Sequence, residues 1–143
     1  MMEDSPYSGS CLCGEIQYSV DAIDDEMAHC HCTMCRKFHG AAFATFGSAK
    51  SSEFHWIKGE ELLKEFVAAN GAKRLFCKNC GSSLIFAPAG NDENVIEFAL
   101  SSLDSELPLQ PDAHIFTNYS VSWFNPSDEL PKFPEGRNSD NET

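Results

Sequence analysis

The densest chemistry in this 143-residue sequence lies at Cys30-His31-Cys32-Thr33-Met34-Cys35-Arg36-Lys37, where three thiols fall within six residues. Extended backbone over 30–32 puts Cys30 and Cys32 on one face and His31 on the other. A two-residue spacer then suits a tight turn that brings Cys35 round to the same point. Sulfurs this close are soft metal ligands, and zinc takes them at about 2.3 Å. A closed structural site takes four protein ligands. Three leave a position for water or substrate, which is where chemistry can occur.

Four more cysteines come in two pairs. Cys11-Leu12-Cys13 lies between Gly9 and Gly14, whose freedom lets the backbone fold tightly round an ion. Cys77-Lys78-Asn79-Cys80-Gly81 has the form of a zinc knuckle. Cys11, Cys13, Cys77 and Cys80 make a complete Cys₄ set that staples two distant hairpins, leaving Cys30, Cys32 and Cys35 as an open site. A competing allocation closes the second site with His29, His31, His39, His55 or His114. His31 suits that least, because it faces away from its neighbours. Residue types alone leave both allocations standing.

Disulfides explain the thiols poorly. The count of seven is odd, and in extended backbone the side chains of Cys11/Cys13 and of Cys30/Cys32 run parallel. The N-terminal Met1-Met2-Glu3-Asp4-Ser5-Pro6 is acidic and has no apolar core of a signal peptide. No apolar run approaches the ~20 residues that span a bilayer. These features predict a cytoplasmic protein in a reducing compartment, with two Zn²⁺ per chain.

Acidic residues number 22 and basic residues 10, for a formal charge of −12. That disfavours nonspecific binding to nucleic acid or to anionic membranes. Five of the ten bases, Arg36, Lys37, Lys73, Arg74 and Lys78, lie in or beside the cysteine motifs. They offset thiolate charge. Alternatively, Arg36, Lys37 and Arg74 hold the carboxylates of an anionic ligand.

The elements that position these groups read as short strands. Residues 15–20 alternate, with Ile16, Tyr18 and Val20 on one face. Strands are expected over 27–32, 41–46, 53–57, 72–76, 83–86, 94–100 and 114–117. Phe38-His39-Gly40 reads as a turn, and Asn70-Gly71 as a hairpin turn. Residues 60–67 have helical composition but are too few to settle by period. Val121-Ser122-Trp123-Phe124 is expected to pack on the body. A loose arm (1–7), one domain (8–133) and a disordered acidic tail (134–143) complete the organisation, in a mainly β fold.

The order Gly-x-Cys-x-Cys-Gly (9–14), Cys-His-Cys-x-x-Cys-Arg-Lys (30–37) and Arg-x-Phe-Cys-x-x-Cys-Gly-Ser (74–82) resembles the glutathione-dependent formaldehyde-activating enzyme family, which includes centromere protein V relatives. Ser102-Leu103-Asp104, His114-Ile115-Phe116, Trp123-Phe124 and Asp128-Glu129-Leu130-Pro131 resemble its C-terminal pattern. The resemblance implies an Mss4-like zinc fold of short antiparallel strands. It implies structural zinc on Cys11, Cys13, Cys77 and Cys80, and catalytic zinc on Cys30, Cys32 and Cys35. The implied activity is that of S-(hydroxymethyl)glutathione synthase, a carbon–sulfur lyase joining formaldehyde to glutathione. The alternatives are a non-catalytic carrier of thiol adducts and a zinc-stapled interaction module. His31 or His39 is the candidate proton donor.

Overall fold

The computed structural model describes residues 6–90, 92–137 and 139. In chain order its strands are β1 (Tyr7–Ser10), β2 (Gln17–Val20), β3 (Ala28–Cys30), β4 (Ala44–Lys50), β5 (Phe54–Lys58), β6 (Leu63–Val67), β7 (Lys73–Cys77), β8 (Ser83–Ala87), β9 (Val95–Ala99) and β10 (Ala113–Ile115). One α-helix, α1 (Thr33–His39), stands among them. The described chain is therefore mainly β. No helix among the described residues is long and apolar enough to cross a membrane. The chain divides into two compact units, residues 1–24 with 47–108 and residues 25–46 with 109–143.

The first unit contains two antiparallel arrays, β1-β2-β5 and β9-β8-β7-β6. The face expected from alternation is buried: Ile16, Tyr18 and Val20 are at most 2% exposed. Tyr18 stacks on Phe54 at 4.8 Å and meets Phe98 edge-on at 5.8 Å. Its hydroxyl is paired with that of Ser102. Gly9 sits opposite Tyr18 in the β1–β2 register, where a Cβ would overlap the tyrosine ring.

The ambiguous stretch 60–67 resolves into a single 3₁₀ turn, Glu60–Leu62, followed by β6. β6 ends the strand order and is largely exposed. An edge strand with water on both faces shows no alternation, so its charges read as helical composition. The Asn70-Gly71 hairpin forms as expected, with Gly71 at φ 89° and the Asn70 side chain accepting from the Ala72 N–H.

In the second unit β3 is flanked by β4 and β10. It pairs antiparallel with β4 (Cys30↔Ala44) and parallel with β10 (His114↔His29, Ile115↔Cys30). The parallel pair departs from the expectation of antiparallel strands alone. It joins segments far apart in sequence, and nothing local in either segment announces it. The expected turn at 38–40 is the end of α1, capped by Gly40 at φ 60°. β10 ends at Phe116, which adopts φ 58° although it is not glycine, and the chain turns there into Thr117–Tyr119.

Two expectations need correction in this unit. Trp123 and Phe124 are 73% and 47% exposed, so 121–124 is not a packed apolar plug, although Phe124 does lie against Phe43. Residues 134–137, assigned on composition to the acidic tail, are hydrogen-bonded. Glu135 accepts from the Phe116 N–H and the Tyr119 hydroxyl, and Arg137 pairs with Asp112 at 2.7 Å. Of the remaining tail and arm, residues 138 and 140–143 and residues 1–5 lie outside the described residues.

Candidate metal centres and a histidine chain

Cys11, Cys13, Cys77 and Cys80 converge within the first unit, their sulfurs all within 4.8 Å of one another. Cys11 and Cys13 Sγ are 3.5 Å apart, and Cys13 and Cys77 Sγ 3.9 Å. A tetrahedral ion about 2.3 Å from each sulfur sets the sulfurs roughly 3.8 Å apart, so the set fits zinc-like coordination. The turns that deliver the thiols also supply donors to them. Ile16 N–H donates to Cys11 Sγ at 3.3 Å, and the Asn79 amide to Cys13 Sγ at 3.3 Å. The Asn79 contact, then the Glu15 backbone N–H, lowers the Cys13 thiol pKa. Burial pushes the Cys80 thiol up, but the Ser82 hydroxyl and backbone N–H, the Cys13 backbone and the Cys77 thiol together bring it down to about 6. Gly81, at φ 82°, closes the knuckle and donates to the Cys77 carbonyl at 2.7 Å.

Cys30, Cys32 and Cys35 form the second set, with sulfurs again within 4.8 Å. β3 supplies Cys30. Cys32 is the N-cap of α1, its sulfur accepting from the Cys35 N–H at 3.3 Å, and Cys35 is the buried residue of that helix. The expected tight turn is thus the first turn of a helix. Sequence period did not show it, because only one of its seven residues is buried. The Cys32 and Cys35 thiols, then burial, push the Cys30 thiol far up. Three thiols this close, two of them buried, cannot ionise together without a cation among them, and a divalent ion reverses that balance.

Among the described residues no histidine joins either set. The competing allocation, with a histidine closing the second site, is not what this geometry presents. His29 Nδ1 pairs with Thr45 Oγ1 at 2.8 Å, and His55 with Asp21 at 2.9 Å. His39 stands edge-on to Phe46.

The three bases expected at a ligand lie in different settings. Arg36 and Lys37 are on α1 between Cys35 and its C-cap, where they also suit the helix dipole. Lys37 is exposed and Arg36 half-buried. Arg74 belongs to the first unit, is 3% exposed and lies 4.6 Å over the Phe86 ring.

Strand parity builds a further constellation. His29 alternates with Cys30 on β3, His31 follows one residue past the end of that strand, and the parallel register sets His114 beside His29. The Asp128 carboxylate accepts from His114 Nε2 at 3.0 Å. His114 Nδ1 meets His31 Nε2 at 2.8 Å. His31 and His114 are 2% and 0% exposed. His31 Nδ1 is buried and has no hydrogen-bond partner. Burial, then neighbouring His114, His29 and Arg36, pushes the His31 pKa down to about 4. The ring is therefore neutral at pH 7. The His114 contact holds the Asp128 carboxyl below its ordinary range. Sequence reading names His29, His31, His114 and Asp128 but does not connect them. The available signal was parity, which places His29 and His31 away from the thiols and leaves them needing company on that face.

His31 and His114 line a cavity of about 410 Å³ whose walls include Thr117, Ser120, Val121, Phe124, Pro126 and Lys132. That size is in the range of small-molecule sites. Tyr119 follows this wall. The Glu135 carboxylate, and less strongly the charge of Cys32, raise its hydroxyl pKa.

The model of the glutathione-dependent formaldehyde-activating enzyme family matches residues 6–119. The chain belongs to this family. A Schizosaccharomyces pombe protein named as an uncharacterized lyase is 31% identical over 81 residues, which make up 57% of this chain and 57% of that protein. The chain thus spans a little over half the length of that relative. A crystal structure of a Rhodobacter sphaeroides protein matches with a TM-score of 0.58 at 24% identity, over 71% of this chain and 91% of that one, which is a likeness of fold. In this member of the formaldehyde-activating family, the three cysteine motifs form two sets of ligand geometry, one of four sulfurs and one of three.

Proposed function

We propose that this chain is a metal-dependent carbon–sulfur lyase of the S-(hydroxymethyl)glutathione synthase type, acting on glutathione or a related small-thiol adduct. One observation carries the proposal. Cys30, Cys32 and Cys35 converge with no fourth histidine, cysteine or carboxylate among the described residues, and His31, between two of them, opens onto a small-molecule-sized cavity. Family membership and the relative named as a lyase support the reaction class.

Cys30, Cys32 and Cys35 would hold zinc, and Cys11, Cys13, Cys77 and Cys80 a second, structural zinc. Zinc at the open site, when bound, supplies the positive charge that keeps a substrate thiol ionised at neutral pH. Arg36 and Lys37, on the helix that carries Cys35, hold the carboxylates of the thiol peptide. The packing of Arg74 on Phe86 favours a structural part for that residue. In the synthetic direction a sulfur–carbon bond forms between the thiol and formaldehyde, the carbonyl becomes a hydroxyl, and the thiol proton ends on that oxygen. The reverse breaks the same bond.

Three thiolates with one Zn²⁺ leave the open site at a net charge of −1, so it binds thiols better than it sharpens them. That favours one second reading, a carrier of the adduct. The test is the rate of adduct formation and breakdown against the uncatalysed rate. Wild-type protein exceeds it and Cys32→Ser returns to it. Adduct binding with no acceleration would leave the carrier.

A further inference from the structure

The strand order of the first unit ends at β6, and the ladder to β7 shows which backbone groups that strand leaves open. Its register runs from Leu63↔Cys77 to Val67↔Lys73. Just beyond either end, the Lys78 N–H donates to the Leu62 carbonyl and the Ala68 N–H to the Ala72 carbonyl. In an antiparallel ladder hydrogen-bonded pairs alternate with non-bonded ones. Leu62, Lys64, Phe66 and Ala68 are therefore the bonded positions. The N–H and C=O groups of Leu63, Glu65 and Val67 point away from β7. Among the described residues no strand pairs with that side. Phe66 and Val67 are 58% and 52% exposed. An open edge of this kind, with apolar side chains on it, is a template for another strand.

The side chains on the edge favour a second copy of this chain as the occupant. Two-fold pairing must set outward groups against outward groups, so one register is centred on each residue of β6. Centring on Glu65 opposes two carboxylates, and centring on Lys64 opposes two ammonium groups. Centring on Leu63 sets Glu65 against Glu61 of the second copy. Centring on Val67 runs off the strand into the hairpin turn. Like charges directly opposed are unfavourable. Centring on Phe66 avoids all of these. It brings the two Phe66 rings together at a non-bonded position, where side chains approach most closely. Lys64 then faces Ala68 of the second copy, and Glu65 faces Val67. Lys73 lies opposite Val67 on β7. Glu65 and Lys73 of the second copy thus share a face across two strand spacings, about 10 Å, which their side chains span together. Both residues are exposed.

We propose that the outer edge of β6 pairs antiparallel with the same edge of a second copy, centred on Phe66, so that the two sheets become continuous across a two-fold axis. Pairing consumes the edge on both copies, so assembly closes at a dimer. Lys64 and Glu65, charges of the kind that guard edges against pairing, here choose among the registers. The formal charge of −12 on each chain opposes the contact at long range, so the dimer depends on protein concentration.

The experiment uses the metal-loaded full chain over a concentration series up to about 1 mM, followed by sedimentation velocity and residue-resolved amide exchange. The expected result is a monomer–dimer equilibrium. Exchange at Glu65 and Val67 slows as the dimer forms, while Lys64 and Phe66, already bonded to β7, do not change. Glu65→Pro removes an outward N–H and spares the bonds to β7, so it is expected to give a monomer with unchanged metal content. Glu65→Lys and Lys73→Glu each bring like charges together, and each is expected to weaken the dimer by roughly three- to tenfold. An equimolar mixture of those two variants is expected to recover it as a mixed dimer. A monomer throughout the series, a dimer whose exchange changes lie outside β6, or a dimer that Glu65→Pro leaves intact would overturn the proposal. A dimer weakened by both reversals but not recovered in the mixture would overturn the register centred on Phe66.

Discussion

At the scale of single residues, the protein depends on a few side chains whose surroundings leave no freedom. Gly9 is one. A methyl group there overlaps the Tyr18 ring, and overpacking of this kind costs about 1–3 kcal/mol. Gly9→Ala is expected to lower the denaturant midpoint accordingly. Tyr18 gives a second prediction, in pH. Burial, together with the charge of Asp104, raises its hydroxyl pKa, against a weaker opposing contact from Ser102. A tyrosine whose folded pKa is raised stabilises the fold fully below the unfolded value near 10, and that contribution is lost as pH rises above it. Unfolding midpoints should therefore fall on going from about pH 9 to 11, and Tyr18→Phe should flatten the fall. Asp128 works in the opposite direction. Its lowered pKa means that its contribution is present above the ordinary carboxyl range and lost on acidification below it.

At the scale of elements, strands with one buried face were legible and elements without one were not. Ile16, Tyr18 and Val20 announce β2 because alternate residues meet the core. Asn70-Gly71 announces the β6–β7 hairpin because glycine supplies its positive φ. α1 escaped, since it buries only Cys35 and its register is set by a cysteine cap and Gly40 at its two ends. β6 escaped for the complementary reason, as an edge strand wet on both sides. The parallel β3–β10 pair, and with it the His31–His114 contact, is a long-range pairing that neither segment specifies alone. Gly40→Ala tests the helix. Nothing lies near a Cβ at that position, but φ +60° remains unfavourable, so the cost is about 1 kcal/mol. It should appear as faster amide exchange at Cys35 and weaker retention of metal at the three-cysteine site.

At the scale of the whole molecule, the seven cysteines divide in the structure as their order in the sequence suggests. The four-sulfur set lies in one compact unit and the three-sulfur set in the other. That division was legible because ligand spacing is local: C-x-C, C-x-C-x-x-C and C-x-x-C each fix a turn. The absence of a histidine from the second set was not legible, because it depends on which partners the histidines find elsewhere. Chelation should therefore act in two stages, with the three-ligand site losing metal before the four-ligand one, and with thiol binding lost at the first stage while the fold persists.

The central claim is an open, thiol-binding metal site beside a closed structural one, and the most direct measurement is metal content per chain alongside glutathione binding, in wild type and Cys32→Ser. The account predicts two zinc ions falling to one, with glutathione binding lost and the fold retained. A single zinc that survives Cys32→Ser, with glutathione binding unchanged, would contradict it.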